Sequence, residues 1–143
     1  MTGPRIVARL LIAAPQTAED GTAVAALLRP YAPTALHCVD DAVADEAEQA
    51  VATALDLGCT RVKGADALQA IEAVAMRALG GCIAVLVPGD AVPGLLARAL
   101  GAPPEAATRL AVMPRAVSVL ECDDARRWSV VRVNEGAWPF GAA

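Results

Sequence analysis

A chain of 143 residues with a net charge of −4 and only 3% aromatic residues is sized for one hydrophobic core, burying about two-thirds of the surface its unfolded form exposes. Its eleven arginines and single lysine are scattered along the sequence, which excludes the basic stripe and stacking platforms of a nucleic-acid binder. The same acidic balance gives no attraction to anionic membranes.

The mean hydropathy of +0.46 is high, but alanine supplies much of it and the apolar runs are short. The run Ile83 to Val87 is closed by Pro88 and Asp90, and no run comes near the roughly 20 apolar residues of a membrane span. Arg9 interrupts the apolar stretch near the N-terminus, and no small-residue cleavage site follows, so the start of the chain does not read as a signal peptide. The four cysteines, Cys38, Cys59, Cys82 and Cys122, form no C-x-x-C pair, and reduced thiols in a cytoplasmic protein are expected. With His37 as the only histidine, a zinc centre would need cysteines and carboxylates from distant segments, so neither a metal nor a cofactor is expected.

In chain order, Val7 to Ala13 is a β-type run stopped by Pro15, and Thr17 to Asp20 reads as the cap and first turn of a helix through Leu28. Pro30 and Pro33 precede a second short strand, Thr34 to Cys38. Asp40 and Asp41 open the next helix, on which Val43, Ala47, Val51 and Leu55 form an apolar stripe; Gly58 ends it. A third helix is expected over Asp66 to Leu79, closed by Gly80 and Gly81. Cys82 to Val87 has the unbroken apolar character of a strand buried on both faces, and Ala91 to Leu100 is the helix returning from it. Pro103 and Pro104 separate this helix from Arg109 to Met113. Ala116 to Cys122 and Trp128 to Asn134 flank an Asp-rich turn and read as a hairpin. The alternation implies a single α/β domain over residues 1–143. Its architecture is a three-layer sandwich with a mostly parallel sheet, helices on both faces and an antiparallel C-terminal hairpin. Ligands of such sheets bind beyond the carboxyl ends of the strands, here Ala13 to Thr17, His37 to Asp40 and Val87 to Asp90.

Leu95 to Gly101 with Pro103-Pro104-Glu105 resembles the helix and turn after the second catalytic strand of the histidine phosphatase (phosphoglycerate-mutase-like) superfamily. Val117 to Glu121, the Asp123-Asp124 turn, Trp128 and Val131 to Asn134 resemble its closing hairpin. Ala13-Ala14-Pro15-Gln16-Thr17 sits where that family has Arg-His-Gly-Glu-Thr, and the family's cap insertion is reduced to Thr60 to Asp66. The resemblance implies a degenerate member. Ala14 stands at the nucleophilic histidine, Ala13 and Ala42 at the phosphate-binding arginines, and Pro88 at the second histidine. One histidine cannot fill two roles, so the family's two-histidine phosphoryl transfer is excluded by composition. Pro15 and Pro88 also remove backbone donors at two strand ends, and Asp90 adds negative charge to the same mouth.

Each polar residue near the strand ends has two readings. Asp90 is a helix cap or a pocket acid. His37 is a structural histidine or an acid/base, and Asp40 a cap or a pocket carboxylate. Gln16, Thr17 and Cys38 are candidate ligand contacts, although Thr17 also serves as a cap and Cys38 as a small buried hydrophobe. His37 and Cys38, adjacent on a strand, point to opposite faces and do not act as a pair. Trp138 and Phe140 are candidate anchors for a protein partner or for self-association as a homo-oligomer. Two functions therefore stand: a catalytically silent module for binding, regulation or oligomerisation, and a repurposed enzyme or small-molecule binder that takes an apolar metabolite at the strand-end mouth.

Overall fold

The computed structural model describes residues 5–39, 45–62, 81–125 and 127–136. The expected helix at 66–79, the candidates Asp40, Ala42, Trp138 and Phe140, and the start of the expected second helix lie outside them. The elements are β1 (Ile6–Ala13), α1 (Ala18–Leu28), β2 (Ala35–Val39), α2 (Asp45–Leu55), β3 (Cys59–Val62), β4 (Gly81–Leu86), α3 (Val92–Ala99), β5 (Ala116–Asp123) and β6 (Trp128–Gly136). Six strands form one sheet in the order β3-β2-β4-β1-β5-β6. The first four in that order are mutually parallel; β5 and β6 run antiparallel.

Strand alternation sorts the core into two layers. Leu11 and Ala13 of β1, Leu36 and Cys38 of β2, and Ala84 and Leu86 of β4 face α1 and α2, meeting Val24, Leu28 and Val51. Leu10, Ile12, Ile83 and Val85 face the other way, onto Val92, Leu95 and Leu96 of α3. Helices therefore cover both faces of a mostly parallel sheet, as the alternating sequence pattern requires.

Two local readings are corrected. Thr60 to Val62, read from the sequence as part of a shortened cap insertion, belongs to β3, an edge strand paired in parallel with β2. The second helix ends at Leu55 rather than at Gly58. Asp56 takes a left-handed φ of 53° and Leu57 N–H returns to Ala52 C=O, so an aspartate occupies the position usually given to glycine. Between α3 and β5, the chain from Leu110 to Arg115 is irregular. Asn134 holds it, accepting from Met113 N–H at 3.2 Å and donating to Ala111 C=O.

Asn134 itself has φ 54°, and the β5–β6 register slips twice around Val119. Such bulges twist an edge away from further pairing, which offsets the aggregation risk of the exposed Val131 and Val133 on β6.

α1 approaches α2 closely through Gly21. A Cβ there would lie 2.6 Å from Ala47 O and 2.9 Å from the Ala50 Cβ. Alanine normally favours a helix over glycine by about 1 kcal/mol, but this contact is with backbone that cannot rotate aside. Gly21→Ala is therefore expected to destabilise the protein by about 1–3 kcal/mol, the usual range for overpacking, and urea unfolding would check it. An increase in stability would show that the two helices can separate freely.

Candidate functional site

β1 delivers Ala14 and Gln16 to the carboxyl edge of the sheet, and the turn after β4 delivers Gly89 and Asp90. Together with Pro93, Val112 and Pro114 they line a cavity of about 370 Å³. Gln16 reaches over the turn: its Nε2 lies 3.9 Å from where a Cβ on Gly89 would sit. Gln16 and Asp90 are both exposed, and no arginine, lysine or histidine lines this cavity among the described residues.

Asp90 does not cap α3. Ala91 occupies the cap position with no side-chain hydrogen bond, and Pro93 lies in the first turn. The Ala91 N–H is already taken by Pro88 C=O at 2.9 Å, so the turn closes through the backbone and leaves the Asp90 carboxylate facing the cavity. Of the two readings of Asp90, the cap is excluded and the pocket position is the one found.

Thr17 is a cap. Its hydroxyl accepts from Asp20 N–H at 3.0 Å while Asp20 Oδ2 accepts from the N–H groups of Thr17 and Gln16, a reciprocal capping box. The other oxygen of Asp20 accepts from Arg115 Nε at 2.8 Å, and Arg115 also pairs with Glu19 at 3.2 Å. Burial pushes the Asp20 carboxyl upward, but Arg115 and the donated N–H bonds outweigh it and hold the group below its ordinary value. Arg115 is thus a cation near the end of β1, and two carboxylates already neutralise it. The sequence shows the Thr17-x-x-Asp20 pattern; nothing in it points to a partner 95 positions away.

His37 lies on β2 opposite Val85 and Thr60, on the face toward α3, and does not line the cavity with Asp90. It is half-buried, and its Nδ1 is buried with no hydrogen-bond partner. Burial lowers its pKa, keeping the imidazole neutral at pH 7. Cys38 points to the opposite face, as alternation requires, and is fully buried. It is not a free thiol: Cys38 and Cys59 form a disulfide between neighbouring strands, to which Cys82 and Cys122 do not belong. The expectation of four reduced cysteines is overturned by β3, which the sequence did not reveal and which carries Cys59 alongside β2.

At the opposite end of the sheet Arg9 pairs with Glu121 at 2.7 Å and lies 5.9 Å above the Tyr31 ring, whose hydroxyl donates to Glu135 at 2.6 Å. These charges are mutually satisfied and tie β1, β5 and β6 to the turn after α1. No helix among the described residues is long and apolar enough to cross a membrane.

No protein-family model matches the sequence, and no curated protein is detectably similar to it. Solved structures are. A phosphoglycerate mutase from Plasmodium falciparum superposes with a TM-score of 0.69 at 14% identity, over 96% of this chain and 97% of that one. The alpha-ribazole phosphatase from Shigella flexneri gives 0.63 at 12% identity, over 91% and 99%. A mycobacterial glucosyl-3-phosphoglycerate phosphatase gives 0.62 at 12% identity, over 93% and 100%. Strand order, the antiparallel closing hairpin and these neighbours agree, and the chain has the fold of the histidine phosphatase, phosphoglycerate-mutase-like superfamily.

Proposed function

We propose that this chain is a catalytically silent member of that superfamily, acting as a binding module rather than as a phosphatase or mutase. The observation that carries this reading is the cavity at the strand ends, lined by Ala14, Gln16 and Asp90 with proline and valine, and by no basic side chain among the described residues. Phosphoryl transfer needs a nucleophile and fixed positive charge at the developing oxyanions. Ala14 offers no nucleophile, Pro88 no donor, and Asp90 repels a phosphate. Arg115 could approach one only by giving up Asp20, whose buried carboxylate would then be left without its cation.

The same cavity favours a second reading of what is bound. An amide and a carboxylate converging on a small site walled by Ala14, Pro93, Val112 and Pro114 suit an uncharged or cationic metabolite with an apolar body. Asp90 would accept its hydrogen bonds. His37, neutral and on β2, is kept out of this role.

Purified protein is expected to release no p-nitrophenol from p-nitrophenyl phosphate above buffer. In a thermal-shift panel, phosphate esters are expected to leave the melting temperature unchanged. A compound that fits the cavity raises it, by the equivalent of about 2.7 kcal/mol when present at 100 times its dissociation constant, and Asp90→Ala abolishes the shift. Hydrolysis by the wild-type chain, or stabilisation by phosphate esters, would overturn the reading. A panel that stabilises nothing moves the binding role to a protein partner or a second copy, with Trp138 and Phe140 as the residues to substitute.

A further inference from the structure

Away from the strand-end cavity, β2, β3 and α2 bring three metal-binding side chains to one point. Sγ of Cys38, Sγ of Cys59 and a carboxylate oxygen of Glu48 all lie within 4.8 Å of one another. Cys38 is fully buried, Cys59 half-buried, and the Glu48 side chain only 12% exposed. Glu48 Oε2 is buried and accepts no well-aligned hydrogen bond; Arg61 Nη2, 2.8 Å away, pairs with it by charge. A cavity of about 460 Å³ lined by Asp45, Glu46, Glu48, Gln49 and Arg61 opens beside the cluster.

A disulfide that served only as a cross-link would gain nothing from a carboxylate buried against its sulfurs, because removing that charge from water is costly. Arg61 offsets part of that cost, and a cation held by the sulfurs would offset the rest. We propose that reduction of the Cys38–Cys59 disulfide converts this cluster into a binding site for a thiophilic divalent cation of the zinc class. The disulfide takes two electrons and two protons from an external dithiol, which is itself oxidised to a disulfide, and becomes two thiols. Metal binding then releases the two thiol protons to water, and both thiolates and Glu48 donate to the ion. Water completes four-coordination, as in zinc sites with three protein ligands.

The geometry and charge are consistent with this. Tetrahedral zinc with Zn–S of about 2.3 Å places two sulfurs about 3.8 Å apart, inside the present cluster but beyond disulfide bonding, so the oxidised and metal-bound states exclude each other. Two thiolates, one carboxylate and a divalent ion sum to −1, which makes Arg61 a favourable neighbour rather than a competitor. The acidic cavity gives a cation its way in, and soft thiolate donors select against magnesium and calcium.

The test uses the full chain, reduced with a phosphine, freed of reductant under argon and titrated with Co²⁺. Saturation at one ion per chain is expected, with the intense visible bands of tetrahedral cobalt and a near-ultraviolet sulfur-to-cobalt band, all removed by Zn²⁺. Glu48→Gln, which keeps both cysteines, should weaken binding by about tenfold or more while retaining the sulfur band. Cys59→Ser should lose that band, Cys82→Ser should keep it, and the oxidised chain should bind no cobalt. The proposal is overturned if the reduced wild type shows no sulfur band, if oxidised and reduced chains bind alike, or if Glu48→Gln binds as tightly as the wild type.

Discussion

Opening the Cys38–Cys59 disulfide in metal-free buffer is expected to lower the stability of the folded chain by about 3 kcal/mol. The two cysteines are 21 positions apart, and the loop-closure entropy that a cross-link of this span removes from the unfolded chain is worth about that much. The bond also pins β3, a four-residue strand whose only sheet partner among the described residues is β2. Urea midpoints with and without a phosphine reductant, in the presence of a chelator, measure the effect. Cys59→Ala should start from the lower midpoint and not respond to reductant. A wild-type midpoint that reductant leaves unchanged would mean that the bond does not constrain the unfolded chain. This experiment needs no metal, so its result is independent of whether the reduced pair binds zinc.

The larger single-residue effect belongs to Leu11. It lies on β1, the strand hydrogen-bonded to both β4 and β5, and is fully buried beneath α1 among Val24, Leu28, Leu86 and Val119. A site surrounded by backbone on both sides collapses poorly when a side chain is shortened. Leu11→Ala should therefore cost about 3–5 kcal/mol, toward the upper part of the range for buried leucines. Leu100, 60% exposed after α3, supplies the control: Leu100→Ala should change stability by no more than about 0.5 kcal/mol. Comparable losses at both positions would contradict the assignment of Leu11 to the core.

Features encoded within a few consecutive residues were legible. The unbroken apolar run of β4 announced a strand buried on both faces, and both of its faces are covered. Thr17 was readable as a cap because the hydroxyl and the N–H it serves are three positions apart. Alternation correctly separated His37 from Cys38. β3 was missed because Cys59-Thr60-Arg61-Val62 is short, half polar and at an edge, where one partner strand suffices and hydrophobic patterning is weak. Asp90 kept two readings in the sequence because an aspartate before a helix has the same signature whether it caps the first turn or leaves that task to the backbone.

The sequence by itself determined the α/β alternation, a sheet covered on both faces, the closing hairpin and the want of a second histidine. These rest on local periodicity and composition, which survive without knowledge of partners. Only the tertiary structure decided that Asp20 is bound to Arg115, that Cys38 meets Cys59 and Glu48, and that Gln16 and Asp90 share a cavity while His37 does not. Each of those pairings joins segments brought together by strand order and register, and a side chain carries no local mark of the neighbour that register will place beside it.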